Sequence, residues 1–317
     1  MQQFQPAEDF MAKKRVKLII NPNADMGHAW QQASDLRPIA DEYGGADWAG
    51  TVYPTHAVEL ARQAAEDGYD IVVAVGGDGT VHEVINGLMQ VPAKKRPQFG
   101  VVPLGSGNDF AHVLGMDLRA DRALKQILTG KAKKIDLGVI EDEHGRKEYW
   151  DNTINMGFGG SVNIYSHSLP VVRGFLMYFV AVVLTIIRHY DVLQMKITTD
   201  EGEWEEEVMM MAICNGPREG GGFVTAPDAK IDDGVFNFTA VKKVSRPMMF
   251  RLIPEFMNGT QGRFKQISMG KMKKMEIKCP QPLTMHLDGE TFAGFASDVH
   301  HLKIELLADA IEVLMPA

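Results

Sequence analysis

The amino-acid sequence predicts two domains, a doubly wound α/β domain followed by a mainly antiparallel β domain. Three observations support this fold class. The chain has 317 residues, which is more than one compact core usually holds. Short apolar runs alternate with helical patterns in its first half, as they do in parallel sheets covered by helices. After residue 135 the pattern changes to alternating strand-like segments, so we place the domain boundary there.

The first segment, residues 1–14, is polar and lacks periodicity, which predicts a flexible tail. The α/β domain is expected over residues 15–135. Strands buried on both faces of a parallel sheet are continuously apolar, and three runs have this character: VKLII (16–20), IVVAV (71–75) and FGVVPL (99–104). A helix is expected over residues 56–68, where the pattern ends on a glycine typical of a helix C-cap.

The remaining residues, 136–317, are expected to form the β-rich domain, with the last strand left free to return to the first domain. A helix is expected at residues 247–259. The strand-like segments are EYWDNTINM (148–156), LQMKITTD (193–200), EEEVMMMAIC (205–214), GVFNFTAV (234–241), KMEIKC (274–279) and HLKIELL (301–307).

Composition narrows the class of protein. Lys and Arg number 33 against 41 Asp and Glu, a net charge of −8, and 45% of residues are hydrophobic. This is typical of a globular protein and argues against a chain whose main partner is nucleic acid. The two cysteines form no disulfide framework, and we find neither a secretory signal nor an apolar run of about 18 residues. We expect a cytoplasmic protein with no integral membrane span.

The first candidate site is a glycine-rich loop, Gly76-Gly77-Asp78-Gly79-Thr80, between a buried strand and a helix. Glycines allow the backbone to approach a phosphate closely, and a helix N-terminus offers unpaired N–H groups and a partial positive charge. A carboxylate at such a place is unfavourable for a bare anion but suits a phosphate bound together with Mg²⁺. An ordinary strand–helix turn is the alternative.

A second glycine-rich loop, PLGSGNDFA (103–111), follows the next apolar strand and also reaches an aspartate, Asp109. Neither loop is a Walker A sequence, because no Gly-Lys-Ser/Thr follows, and neither is a GxGxxG fingerprint. Two such loops at two strand ends predict a phosphate site better than either loop alone. Three further carboxylates have simpler interpretations when taken singly. These are Asp136 as a buried structural residue, Asp233 in a turn, and Glu290 in a solvated hairpin.

Taken together and in order, these motifs resemble the bacterial diacylglycerol kinase family of lipid kinases. The motifs are GGDGT (76–80), PLGSGNDFA (103–111), IDLG (135–138), GGG…AP.A..DDG (220–234) and LDGE (287–290). The family includes relatives of sphingosine and ceramide kinases, and its nucleotide domain is shared with NAD kinases and phosphofructokinases. The resemblance covers nearly the whole chain, and it implies an NAD kinase/diacylglycerol kinase-like fold whose second domain is a β-sandwich.

The resemblance implies Mg²⁺- and ATP-dependent phosphorylation of a lipid hydroxyl in a cleft between the domains. Glu290 matches the family's catalytic residue, and Asp78 would act through Mg²⁺ and ordered water. Asp109 and Asp136 would complete an acidic network. A second metal position, expected to be structural, would use Asp233 with main-chain carbonyls of Lys230 and Val235. The residues with implied nucleotide-binding roles are Asn21, Thr51, Gly76, Gly77, Asp78, Gly79, Thr80, Val81, Glu83, Gly105, Ser106 and Asn108.

Two alternatives remain open, an NAD kinase and a nucleotide-binding regulator without turnover. The acceptor is also open among diacylglycerol, phosphatidylglycerol, sphingoid bases and ceramide. The loop from Asn21 departs from the family pattern by carrying Asp25 and Met26. The apolar stretch 175–187 is too short to span a bilayer, so it belongs to the core or lines a lipid cleft. The lipid is expected at the membrane surface, and peripheral attachment to the inner membrane face and a homodimer are left open.

Overall fold

The computed structural model describes residues 14–27, 29–169 and 174–316, without the side chains of Asp25, Met26 and Ala33. Residues 1–13 of the tail predicted over residues 1–14, and the unusual Asp25 and Met26 side chains, therefore lie outside the described residues. The described α-helices are α1 (Ala29–Glu42), α2 (His56–Glu66), α3 (Asp78–Leu88), α4 (Asp109–Val113), α5 (Ala120–Thr129), α6 (Phe158–His167), α7 (Gly174–Arg188) and α8 (Arg246–Asn258). The described strands are β1 (Val16–Ile20), β2 (Asp47–Gly50), β3 (Ile71–Gly76), β4 (Gln98–Pro103), β5 (Lys131–Asp142), β6 (Lys147–Trp150), β7 (Thr153–Gly157), β8 (Leu193–Thr199), β9 (Gly202–Cys214), β10 (Phe236–Lys242), β11 (Ile267–Met272), β12 (Lys274–Lys278), β13 (Met285–Leu287), β14 (Glu290–Ala293) and β15 (His301–Met315).

The first part of the chain forms a parallel sheet in the order β2-β1-β3-β4. The central strand β3 is buried at every position, because helices cover both faces of a sheet connected in this way. Its carboxyl end is level with that of β4, since Gly76 pairs with Pro103. Both glycine-rich loops therefore leave the sheet at the same edge, where ligands bind in doubly wound folds.

A long antiparallel pair, β5 with β15, joins the two parts of the molecule. The first residues of β5 and the last of β15 lie beside the parallel sheet, where Val313 is aligned with Phe99 of β4. The other ends of both strands pair with β6 and β12. The register shifts between Leu307 and Ile311, and Asp309 there has a left-handed φ of 51°. This irregularity lets β15 pair with strands of both parts of the molecule.

The second part of the chain is antiparallel and mainly β, so the predicted fold class is confirmed. Strands β7 to β14 pair antiparallel around β9, whose neighbours are β7, β8 and β10. One predicted strand, 148–156, is wrong as a single element. It divides into β6 and β7 because Asp151 and Asn152 turn the chain between them. The predicted helix at 247–259 corresponds to α8.

Helices α6, α7 and α8 pack together over one face of the β-rich part. The apolar stretch 175–187 lies in α7, whose buried residues include Ala181, Val182 and Ile186. Leu176 and Ile187 on the same helix are exposed. Among the described residues, no helix combines the length and the apolar character needed to cross a membrane.

Candidate active site

The two glycine-rich loops touch each other through their backbones. A Cβ atom placed on Gly105 would lie 2.4 Å from the Cα of Gly77, so neither position has room for a side chain. Asn108, with a left-handed φ of 52°, closes the second loop. Its Oδ1 accepts from the Gly105 N–H at 2.8 Å, and its Nδ2 donates to the Gly105 carbonyl at 2.8 Å. The close approach of the loops therefore depends on glycine at two positions and on one asparagine.

A surface cleft of about 630 Å³ opens above these loops, and we call it the loop cleft. The helix α3 begins at its floor, with Gly77 as the residue before the helix. Many of the predicted nucleotide residues line it, namely Asn21, Thr51, Gly77, Gly79, Thr80, Glu83, Gly105 and Ser106. Gly76 and Val81 are buried behind the cleft, and a Cβ on Gly76 would lie 2.3 Å from Thr80 Oγ1.

Two of these predicted residues are held by local hydrogen bonds. The Glu83 carboxylate accepts from the backbone N–H groups of Thr55 at 3.0 Å and Ala57 at 3.1 Å, at the start of α2. Thr55 has a left-handed φ of 70° and makes no side-chain cap. Glu83 thus takes the place of the missing helix cap. The Asn21 amide donates to Thr80 Oγ1 at 3.3 Å, which ties the β1 loop to α3.

An inner cavity of about 130 Å³ lies under the three packed helices of the β-rich part. Apolar side chains form most of its wall, and they come from α6, α7, β9 and α8, for example Val162, Val182, Met209 and Leu252. Its other end is polar and acidic, formed by Asp78, Asp109, Asp151, Asn155, Glu219 and Asp288. The inner cavity is therefore amphipathic, with its polar end towards the glycine loops.

Asp78 and Asp109 form an acidic pair at this polar end. A Cβ on Gly107 would lie 3.0 Å from Asp78 Oδ2 and 3.3 Å from Asp109 Oδ2, so glycine leaves room for both carboxylates. Burial, with the negative charge of Asp109 next in importance, raises the pKa of Asp78 to about 7. The negative charge of Asp109 is compensated, because its carboxylate accepts from Arg218 Nε at 3.1 Å and from the Gly221 N–H at 2.9 Å. Asp78 has no cationic partner among the described residues.

Asp288, in the turn between β13 and β14, organises the polar end. Its carboxylate accepts from the backbone N–H groups of Asp151, Asn152 and Thr153 at 2.9 to 3.0 Å. It also lies 3.0 Å from His82 Nδ1 on α3. Burial lowers the pKa of His82, but the hydrogen bond to Asp288 and nearby negative charges outweigh it, so the pKa is above its usual value. Asp288 thus joins α3, the β6–β7 turn and the β13–β14 hairpin.

Glu290, two residues after Asp288, is exposed in the loop cleft. Its carboxylate lies against α3, because a Cβ on Gly79 would be 2.1 Å from Glu290 Oε1. Asn163 on α6 holds the hairpin from the other side. Its Nδ2 donates to the Gly289 carbonyl at 2.5 Å, and its Oδ1 accepts from Thr291 Oγ1 at 2.9 Å. Glu290 therefore stands where the loop cleft meets the residues of the inner cavity.

The deeper acidic residues have unusual environments. Burial, with the charges of Asp288 and Asp78, raises the pKa of Asp151 well above its ordinary value. Burial also raises the pKa of Glu219, whose Oε1 accepts from Asn155 Nδ2 at 2.7 Å and Thr225 Oγ1 at 2.8 Å. Burial lowers the pKa of His286 to about 4.

The structure does not join Asp136 to the acidic pair. Its carboxylate accepts from the Gly234 N–H at 2.8 Å and the Asp309 N–H at 3.0 Å, at the irregularity of β15. Asp233 lies in the same junction, where its Oδ2 is 3.5 Å from Lys271 Nζ. Asp136 therefore stabilises the connection between the two parts, whereas Asp233 pairs with a residue of the β-rich part. The second metal position at Lys230, Asp233 and Val235 stays a prediction.

Several site residues were not identified from the sequence, and they are His82, Asp151, Asn155, Asn163, Tyr178, Arg218, Glu219 and Asp288. Only two of them had a usable signal. His82 lies one helical turn after Asp78 and so shares its face of α3. Asp288 is within the LDGE motif, and its left-handed φ of 51° is typical of Asp in a hairpin turn.

Comparison with known proteins identifies both parts of the chain. Residues 15–140 match the family described as diacylglycerol kinase catalytic domain. Residues 152–315 match the family described as YegS C-terminal NAD kinase beta sandwich-like domain. A protein named "Probable lipid kinase YegS-like" from Yersinia pestis (strain Pestoides F) is 31% identical over 264 residues, which are 82% of this chain and 83% of that protein. Its counterpart from Yersinia pseudotuberculosis serotype O:1b has the same identity and coverage.

Solved structures with a similar fold are also known. The crystal structure of a diacylglycerol kinase from Bacillus anthracis str. Sterne covers 95% of this chain and 97% of its own, with a TM-score of 0.71 and 23% identity. A second structure from the same organism has a TM-score of 0.76 at the same coverage and identity. At this level of identity, the likeness to the solved structures concerns the fold.

Proposed function

The chain belongs to the YegS-like lipid kinases of the diacylglycerol kinase catalytic-domain family, and on that premise we propose that it transfers the γ-phosphoryl group of ATP to a lipid hydroxyl. One observation carries this proposal. Glu290 lines the glycine-lined cleft suited to phosphates, Asp78 lines the apolar cavity suited to an acyl chain, and Gly79, next to Asp78, lies against Glu290. A donor bound in the loop cleft and an acceptor bound in the inner cavity would meet at these two carboxylates.

The loop cleft suits a nucleoside triphosphate. Backbone N–H groups at the start of α3 would donate to an anion bound in this cleft, and the helix dipole favours negative charge there. The absence of side chains at Gly77, Gly79 and Gly105 allows phosphate oxygens to reach the backbone. The hydroxyls of Thr80 and Ser106 add donors along the same wall. Phosphoryl transfer depends mainly on such positioning and on neutralising charge.

The carboxylates of Asp78 and Asp109 can be compared with the ligands that Mg²⁺ uses in other phosphoryl-transfer sites. Among the described residues, no group of three or more His, Cys, Asp or Glu side chains is arranged to hold a metal ion. Mg²⁺ in phosphoryl-transfer sites instead uses one or two carboxylates together with phosphates and water. Burial and the charge of Asp109 raise the pKa of Asp78 to about 7, and a divalent cation would relieve both effects. The residues present therefore fit Mg²⁺.

Asp78 and Asp109 would hold the ion, which when bound neutralises charge on the transferring phosphates. Glu290 would accept the proton of the lipid hydroxyl as the hydroxyl oxygen forms its bond to the γ-phosphorus. The bond between that phosphorus and the bridging oxygen breaks, and ADP leaves. Asp288 and Asn163 act by position, because they fix the hairpin that carries Glu290.

The inner cavity suits the apolar part of a lipid. Its wall combines aliphatic side chains with Phe158, Phe223 and Phe256, and it includes three methionines, Met209, Met210 and Met249. Each buried methylene of an acyl chain contributes roughly 0.8 kcal/mol to binding. NAD has no apolar chain to bury there, so the cavity favours a lipid acceptor over NAD.

A transfer assay tests this function directly. The purified protein is incubated with γ-labelled ATP and a set of lipids in mixed micelles, with NAD as a separate acceptor, and with Mg²⁺ present or chelated. We expect label in a lipid, lost on chelation. Label in NAD alone would identify an NAD kinase instead. ATP binding without any labelled product would favour a regulator without turnover.

The role of Glu290 gives a sharper test. We expect Glu290→Gln to lower kcat by about 10² to 10⁴, the range found when a general base is removed, with little change in thermal stability because Glu290 is exposed. Glu201→Gln, at an exposed turn far along the chain, serves as the matched control. A kcat within threefold of wild type for Glu290→Gln would remove the assignment.

A further inference from the structure

The helix α7 carries a tyrosine, Tyr178, whose hydroxyl has no hydrogen-bond acceptor within the described part of the protein. The side chains with hydroxyl groups that line the inner cavity are Thr153, Tyr178 and Thr225. Both threonines are hydrogen-bonded to Glu219. The Tyr178 hydroxyl bonds to none of the residues that the structure describes. It is therefore an O–H donor that is available to a molecule bound in the site.

This hydroxyl faces the acidic pair. A Cβ on Gly107 would lie 3.0 Å from Asp78 Oδ2 and 3.3 Å from Asp109 Oδ2. The same point is 3.9 Å from the Tyr178 hydroxyl oxygen, so the three oxygens approach it together. Burial, followed by the charges of Asp78 and Asp109, raises the pKa of Tyr178 above its ordinary value of 10. The hydroxyl therefore keeps its proton at pH 7 and acts as a hydrogen-bond donor, not as a base.

Glycines of two loops hold the start of α7 in this place. Gly220 begins the GGG motif at 220–222, and its φ of 61° is left-handed. A Cβ on Gly220 would lie 3.4 Å from Cγ of the Tyr178 ring. At Gly174, the first residue of α7, a Cβ would lie 3.7 Å from the Ser106 carbonyl oxygen. Tyr178 is thus positioned by contacts within the protein, before any substrate binds.

The surroundings of the hydroxyl are rich in negative charge. Arg218, the cation beside the acidic pair, is already bound to Asp109. A phosphoryl group in transfer carries its charge on its equatorial oxygens, and donors that are already in place stabilise such charge without reorganisation. The backbone N–H groups of α3 would supply donors from the loop cleft, and Tyr178 supplies one from the inner cavity.

From this arrangement we infer that the Tyr178 hydroxyl donates a hydrogen bond to an oxygen of the phosphoryl group during its transfer. The inference rests on the proposed kinase function and adds a catalytic residue to it. The proton stays on the phenolic oxygen. Glu290 remains the group that accepts the proton of the lipid hydroxyl.

Tyr178→Phe tests the inference, because it removes the hydroxyl and keeps the ring. Transfer of labelled γ-phosphate from ATP is measured with dioleoylglycerol, dioleoylphosphatidylglycerol, sphinganine and ceramide in mixed micelles. For the acceptor used best, we expect kcat to fall about 10- to 100-fold, the loss that follows removal of a hydrogen bond to a charged group. KM for ATP and for the lipid should stay within twofold, because an interaction made only during transfer lowers kcat and kcat/KM together.

Tyr190→Phe is the matched control. The Tyr190 hydroxyl donates to the Val244 carbonyl at 2.9 Å, and Tyr190 lines neither the loop cleft nor the inner cavity. This variant should lose some thermal stability and keep the wild-type kcat. Tyr178→Phe should show the reverse, since its hydroxyl bonds to no described protein group.

The dependence of the rate on Mg²⁺ separates a direct contact from an effect on the acidic pair. If the hydroxyl acted only by positioning Asp78 and Asp109, Tyr178→Phe would need more Mg²⁺ and would recover its kcat at high Mg²⁺. We expect the Mg²⁺ concentration at half-maximal rate to stay within twofold of wild type and kcat to remain low at saturation.

Several results would overturn the inference and leave the kinase function intact. They are a kcat of Tyr178→Phe within threefold of wild type, recovery of kcat at high Mg²⁺, a loss confined to KM for the lipid, and a fall in melting temperature as large as that of Tyr190→Phe. If wild-type protein labelled none of the four lipids, the proposed function would be wrong, and the inference with it.

Discussion

The loop cleft and the inner cavity lie side by side but are built in opposite ways. The loop cleft is mostly backbone, shaped by glycines that follow two adjacent parallel strands. The inner cavity is made of side chains from α6, α7, α8 and β9, and its polar end comes from the first residues of α3 and α4, the β6–β7 turn, β7 and the loops after β9 and β13. In the proposed function, phosphates would be bound through backbone N–H groups, whereas a particular lipid would have to be distinguished by side chains.

Several contacts join these two regions. Glu290 lies against Gly79, Asp288 meets His82, and Asp109 holds the loop at Gly221. Each contact joins the α/β part to the β-rich part. Substitutions at these contacts should therefore affect transfer most, and substitutions confined to one region should affect one substrate.

Gly79→Ala should break the contact between the two regions, with the largest effect on turnover. The new methyl group would occupy the place of Glu290 Oε1, which lies 2.1 Å from where a Cβ on Gly79 would be. Because that oxygen ends a flexible, exposed side chain, Glu290 can move away at little cost in stability. We expect kcat to fall by about 10² or more, as for loss of a general base, with a melting temperature within about 3 °C of wild type.

Gly294→Ala is the control for this variant. An added Cβ at Gly294 meets nothing within 4 Å, and its φ is not in the left-handed region. Its kcat should equal that of wild type. If Gly79→Ala retained full kcat, the position of the Glu290 carboxylate would not matter for transfer.

Asp78→Asn should increase the stability of the protein and abolish its transfer activity. Burial and the charge of Asp109 raise the pKa of Asp78 from its ordinary value of 3.8 to about 7, so the folded protein binds this proton more tightly than the unfolded chain. The contribution of this group to stability is complete below pH 4 and is lost as the pH rises to about 7. We expect the variant to gain roughly 2–4 kcal/mol in unfolding free energy relative to wild type between pH 4 and pH 8, and to lose transfer.

Urea unfolding at both pH values in the presence of a chelator measures this difference. Asp228→Asn replaces a carboxylate at an exposed position. The difference in its unfolding free energy from wild type should be the same at pH 4 and pH 8. A gain for Asp78→Asn that does not depend on pH would show that burial of its charge is not the cause.

The same contrast accounts for how much could be predicted from the sequence. The glycine loops, Asp78, Asp109 and Glu290 lie in short motifs, and local chemistry or resemblance identified them. Asp288 and His82 are 206 residues apart, and Asn155, Glu219 and Asn163 meet only when separate strands and helices pack. No local pattern marks them. Asp136 shows the converse, since its motif is local but its partners, Gly234 and Asp309, belong to the domain junction.

Val182→Phe should affect the lipid side alone. Val182 on α7 lines the inner cavity, whereas its neighbour Val183 does not. A larger side chain there reduces a cavity of about 130 Å³, and overpacking costs about 1–3 kcal/mol. We expect kcat/KM for the lipid to fall about tenfold or more while KM for ATP stays within twofold. Val183→Phe should change neither, and an equal loss in both variants would argue against a lipid in this cavity.

Glu83→Ala should affect the nucleotide side alone, with the smallest change. Glu83 replaces a side-chain cap at the start of α2 by accepting from Thr55 and Ala57, and loss of a cap costs about 1 kcal/mol. The loop from Thr51 to Ala57, which lines the loop cleft, would then be less well held. We expect KM for ATP to rise a few-fold and KM for the lipid to stay unchanged. Glu83→Gln keeps one acceptor oxygen, so its KM for ATP should lie between those of wild type and Glu83→Ala. If KM for the lipid rose in parallel, the two regions would be coupled through more than the contacts at Glu290, Asp288 and Asp109.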